Sequence, residues 1–116
     1  MKSMWYSIAT MALLVAVAVA QDAPKKITRS AALSAVATKV EPQYPAIAKQ
    51  VRVQGSVELE AEVAETGEVI KVEIVSGNAM LTGPSVQAVK RWKFKPFVED
   101  GKPIKVLAPI TLDFKL

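Results

Sequence analysis

Neither histidine nor cysteine occurs anywhere in the chain. The first absence removes the commonest general base at neutral pH, and the second removes the thiol nucleophile. Together they take away the imidazole and thiolate ligands on which most transition-metal sites depend. Without cysteine there is also no disulfide to support a small fold outside the cytoplasm, and no lipid attachment site of the lipoprotein kind. The hydroxyls of Ser76 and Ser85 have no partner base in sight. The sequence therefore predicts no enzyme, no metal site and no cofactor.

Length allows one domain, because the 116 residues begin with an apolar stretch, "MKSMWYSIATMALLVAVAVAQDAP". Lys2, the apolar run from Ile8 to Ala20 and the closing Ala18-Val19-Ala20 form the pattern of a secretory signal peptide cut after Ala20. An uncleaved anchor in the inner membrane is the rival, but Met4 to Ala20 is 17 residues, the bottom of the spanning range. Cleavage leaves 14 basic residues against 11 acidic ones, a mildly basic mature chain in the periplasm. Mass spectrometry of the envelope fraction should then find an N-terminus near Gln21. Intact Met1 in the inner membrane would select the anchor.

Residues 21–40 read as a lead segment or linker, basic at Lys25, Lys26 and Arg29, then small and apolar. In "EPQYPAIAK" the residues before Pro42 and Pro45 are pushed towards extended geometry, and Pro45 suits the first position of a helix. Tyr44, Ala48 and Val51 then share one face of that short helix, with Ile47 beside them. After Gly55, "SVELEAEV" alternates strictly, with Val57, Leu59, Ala61 and Val63 opposite Ser56, Glu58, Glu60 and Glu62. That is a half-buried strand. Gly67 supplies a hairpin turn, and the next strand carries Ile70, Val72 and Ile74 on one face, with Lys71 opposite Glu60 or Glu62. Gly83-Pro84 opens a helix, "PSVQAVKRW", with Val86, Val89 and Trp92 towards the sheet. A turn at "EDGK" leads to the last strand, where Pro109 cannot donate to a ladder and so demands an edge or a bulge. The order predicts an α+β fold, a three-stranded antiparallel sheet with two helices packed on one face and the Ser56 strand in the middle.

From Glu41 to Leu116 the chain resembles the C-terminal domain of TonB-type energy transducers. The likeness rests on Pro42-x-Tyr44-Pro45, Gly55 before the alternating strand, the turn at Gly67 and the strand exit Val75-Ser76-Gly77. It continues through Trp92-Lys93-Phe94-Lys95-Pro96, Asp100-Gly101-Lys102-Pro103 and the ending "PITLDFKL". The resemblance implies a periplasmic domain that takes up a segment of an outer-membrane transporter as an added strand. It implies a receiving edge from Lys105 to Phe114, with Lys105, Leu107, Pro109, Thr111 and Asp113 on it. Glu41, Pro42, Gln43 and Tyr44 would lie alongside, the prolines keeping that segment rigid. Gly55, Gly67, Trp92, Phe94 and Pro96 are expected to be structural. Family members with a transport role carry glutamine where this chain has Glu41, and a long Pro-rich spacer behind an uncleaved membrane helix. Here the roughly 20 residues after Ala20 reach at most about 70 Å, so an inner-membrane motor is not an expected partner.

Two sharper readings give way to plainer ones. Glu58, Glu60 and Glu62 resemble a hard-cation cluster, but their two-residue recurrence is that of a solvated strand face facing a cross-strand lysine. "KRWKFKPF" interleaves bases and aromatics as nucleic-acid sites do, yet its alternation buries Trp92 and Phe94 and leaves the lysines in solvent. No nucleic-acid partner is expected. The alternative to a peptide-capturing module is a structural envelope component that uses the same fold for dimerisation or cell-wall association.

Overall fold

The computed structural model describes residues 23–116. Residues 1–20, read above as a signal peptide or a membrane anchor, lie outside the described residues. No helix among the described residues is long and apolar enough to cross a membrane.

The alternating segment forms β3 (Gly55–Val63), and its apolar side chains Val57, Leu59, Ala61 and Val63 are all buried. It is flanked by β4 (Val69–Ser76) and β8 (Val106–Phe114), both antiparallel to it. Burial alternates along β8 as well: Val106, Ala108, Ile110, Leu112 and Phe114 point into the same core. A period of two on each strand thus gives the sheet one apolar and one polar face. Lys71 stands opposite Glu62, the looser of the two anticipated registers, because β4 carries an irregularity between the partners of Glu62 and Val63. At the turn between β3 and β4, Gly67 has φ +94°, and a Cβ there would come within 1.9 Å of the Phe94 carbonyl oxygen. Phe94 donates its N–H to Gly67 O at 2.9 Å, so only a residue without a side chain permits this approach.

The helix expected to open at Gly83-Pro84 starts earlier than that. Asn78 caps α3 (Ala79–Val89), its side chain accepting from Met80 N–H at 2.8 Å, and Pro84 sits inside the helix. The cap fixes where the helix begins, and burial of Leu81, Ala88 and Val89 offsets the lost bond and the clash that an interior proline brings. Leu81, Ala88 and Val89 of α3 are buried over the sheet. The short helix α2 (Ala46–Gln50) has Pro45 as its cap rather than its first residue. Only Ala48 of its expected apolar face is buried, whereas Ile47 and Val51 are exposed. Trp92 follows α3 in the core, 2% exposed, with its indole N–H donated to Val40 O at 2.9 Å.

The lead segment adds to the expected three strands and two helices. It supplies β1 (Lys25–Lys26), α1 (Arg29–Ser34) and β2 (Val36–Thr38). Thr28 caps α1, its side-chain oxygen accepting from Ala31 N–H at 3.1 Å. The main sheet consequently has four strands in the order β1-β8-β3-β4, and it is mixed, because β1 runs parallel to β8. β2 pairs with β5 (Lys93–Phe94) in a separate ribbon. The anticipated last strand is also divided: β7 (Lys102–Ile104) turns back on β6 (Phe97–Glu99) before β8 begins. Asp100 and Gly101, both at positive φ, form the two-residue turn of that hairpin.

Candidate functional site

The geometry of β8 follows from which way each peptide unit points. Lys25 and Ile27 donate to the carbonyls of Lys105 and Leu107 at 3.0 and 3.1 Å, so those two residues face away from β3. The ladder with β3 continues from Val106 to Phe114 with no register shift. Alternation therefore turns the backbone groups of Pro109, Thr111 and Asp113 outward too. Pro109 opposes Glu60 in a pair that shares no ladder bond, so its missing N–H costs the sheet nothing. Beyond Leu107 no strand pairs with this edge among the described residues.

The edge is nonetheless not bare, which corrects the expectation of a free run from Lys105 to Phe114. β1 occupies its first part by strand pairing. α1 lies against β8 farther along, and Arg29 reaches across to Glu58, the residue opposite Thr111, at 3.5 Å. Lys25 is ion-paired with Glu99 at the start of the same segment. With alanine at 31, 32 and 35 and Leu33 turned to solvent, the chain can lie this close to a strand edge, and Ala32 is fully buried. Lys105 itself precedes β8, and Asp113 is hydrogen-bonded by the Ser56 hydroxyl. The Thr111 hydroxyl oxygen is buried and has no hydrogen-bond partner among the described residues.

The proline-flanked segment meets β8 only at the far end of the strand. Tyr44 packs edge-on against Phe114, ring centres 5.4 Å apart, and its hydroxyl donates to Val53 O. Tyr44 is thus a clamp that ties the segment to the core. Gln43 turns the other way and, with Pro45, Pro84, Gln87 and Arg91, lines a groove of about 390 Å³ beside α3. Glu41 is exposed near Lys39, at 3.9 Å. Gln43 and Glu41 are therefore not gathered with Leu107, Pro109 and Thr111. Ile27, Thr28 and Arg29 are the residues at the edge that sequence reasoning missed.

On the polar face of the sheet, Glu58, Glu60 and Glu62 stand with Lys71 and Glu73. Lys71 holds Glu73 at 3.0 Å, and that hydrogen bond, followed by the charge of Glu73, raises the lysine pKa. No group of carboxylates suited to a metal ion occurs among the described residues. Trp92 and Phe94 are buried, so the basic stretch around them offers no stacking platform.

Residues 40–116 match the family model described as the Gram-negative bacterial TonB protein C-terminal. Protein TonB of Vibrio cholerae is 35% identical over 83 residues, which is 70% of this chain and 34% of that protein. Protein tonB2 of Pseudomonas aeruginosa is 36% identical over 77 residues, 65% of this chain and 28% of that protein. The chain thus spans about a third or less of these relatives' length. The solution NMR structure of the Pseudomonas aeruginosa TonB C-terminal domain superposes with a TM-score of 0.59 at 23% identity, covering 70% of this chain and 84% of that one.

Proposed function

Because the chain belongs to the TonB C-terminal family, we propose that it is a periplasmic binding module that captures an extended segment of an outer-membrane transporter by strand addition to β8. One observation carries the reading: Pro109, Thr111 and Asp113 present their backbone groups outward, and no strand of the described residues pairs with them. Unpaired groups on a strand edge template another chain. The relatives named TonB support an envelope role in transport, and an exported N-terminus would put the module in the same compartment as the periplasmic side of such transporters. Titration of the purified chain with synthetic peptides from the periplasmic segments of the organism's outer-membrane receptors tests the reading. Saturable binding supports it, and uniform failure across the receptors removes it.

In this reading the lead segment competes for the edge. Ile27 donates its N–H to Leu107 O at 3.1 Å, and a proline there cannot. Ile27→Pro should release β1 and tighten peptide capture by about tenfold, the intramolecular competitor no longer reducing the binding-competent fraction. Weaker capture by this variant would instead make the lead segment part of the binding surface.

A further inference from the structure

The opposite edge of the sheet carries a different message. With the even-numbered residues of β8 bonded to β3, the backbone groups of Glu58, Glu60 and Glu62 turn towards β4. Their opposite residues Lys71 and Glu73 face back, and Val72 and Ile74 point their N–H and C=O groups away from the sheet. A bridge between Glu68 and Lys93 closes this edge just before Val69. From there to Ser76 no strand pairs with it among the described residues, and Ile70 and Ile74 are 53% and 48% exposed.

The free stretch reads Val69-Ile70-Lys71-Val72-Glu73-Ile74-Val75. It is the same in both directions except that a lysine and a glutamate exchange places about Val72. We propose that β4 pairs antiparallel with β4 of a second copy of this chain, about a two-fold axis at Val72. That axis is perpendicular to the sheet, so the polar faces of both copies join and the helical layers stay on one side. Lys71 of each copy then lies opposite Glu73 of the other, while Ile70 lies opposite Ile74. Sliding the second strand by two residues sets Lys71 against Lys71, or Glu73 against Glu73. Only the register centred on Val72 pairs opposite charges across the interface, so the charges select it. Backbone bonds from Val72 and the partial covering of Ile70 and Ile74 supply the attraction. The result is one continuous eight-stranded sheet whose two outermost strands are the β1 strands. Since β8 lies on the other side of β3, peptide capture and dimerisation use separate edges and their failures are separable.

Sedimentation velocity on the full-length chain, purified from the envelope fraction over a concentration series into the millimolar range, provides the test. Lys71 and Glu73 are both exposed, so Lys71→Glu and Glu73→Lys should leave the fold intact by circular dichroism. Each single variant sets like charges across the two-fold axis and should self-associate at least about tenfold more weakly. Mixing the two variants in equal amounts restores opposite charges, as does the double exchange in one chain, and both should recover the dimer. The chain has no cysteine, so Val72→Cys introduces a unique thiol on the axis. Directly opposed residues stand about 5.5 Å apart at the Cα atoms, within disulfide range, and mild oxidation should cross-link the dimer. A chain that stays monomeric throughout overturns the proposal, leaving Lys71 and the irregular ends of β4 as devices that keep the edge unpaired. Single variants that dimerise as tightly as the parent, or a mixture that fails to recover association, overturn it as well.

Discussion

Trp92→Ala should lower the unfolding free energy by about 3–5 kcal/mol, read as the shift of a urea transition followed by circular dichroism. Trp92 is among the largest of the fully buried side chains and packs beside Phe94, ring centres 6.2 Å apart. Its removal leaves a cavity where α3 meets the sheet, and neighbouring side chains close such a cavity only in part. The variant also strands the Val40 carbonyl that the indole N–H satisfies, so the chain ahead of Pro42 loses one of its ties to the core. A domain of this size has a total stability of about 5–15 kcal/mol, so the expected loss is a large share of it. An unchanged transition together with lost peptide binding would show Trp92 to be a ligand contact instead.

Thr111→Pro should weaken peptide capture by about tenfold to a hundredfold while the fold survives, because one outward donor is replaced by a ring. Thr111 faces the same side as Pro109, a position where this sheet already accepts a proline. The substitution also removes a buried hydroxyl that has no partner among the described residues, so the native state loses little by it. Leu107 is a poorer place for the same experiment, since its carbonyl receives the Ile27 N–H and a change there disturbs β1 as well. Thr111→Ala should alter capture only modestly, because strand addition is read by backbone groups. Circular dichroism must show the proline variant folded before titration. Undiminished affinity in a folded Thr111→Pro protein would exclude strand addition at this edge.

Much of this architecture was legible because period-two patterning is a local property. β3, β4 and the buried face of β8 follow from alternation alone, and the Asp100-Gly101 turn follows from its residues. Pro109 announced an edge position, and the outward direction of its nitrogen agrees. The lead segment was not legible in the same way. Lys25 and Lys26 make a strand only because β8 offers a row of carbonyls, and no pattern within two residues reports that. The start of α3 was misplaced because Pro84 is a stronger sequence signal than the Asn78 cap, although the cap decides where the helix begins. As for the candidate site, Leu107, Pro109, Thr111 and Asp113 could be grouped on one face of the strand in advance, but which way their backbone groups turn could not be told. Nor could the cover by α1, since the pairing of Arg29 with Glu58 joins distant parts of the chain.

The position of β8 has a consequence for the order in which the fold can assemble. It is the last strand of the chain and yet lies inside the sheet, between β1 and β3. Every β3–β8 pair joins residues more than forty positions apart, so closing that ladder is a slow, non-local step. Until Val106 to Phe114 have emerged, β3 and β4 form at most a two-stranded hairpin, which is marginal in water on its own. The acidic row Glu58, Glu60 and Glu62 gives this waiting hairpin one charged face that resists association with other chains. Folding is thereby deferred until Val106 to Phe114 are available to β3, and an exported chain, as proposed above, would stay threadable until then.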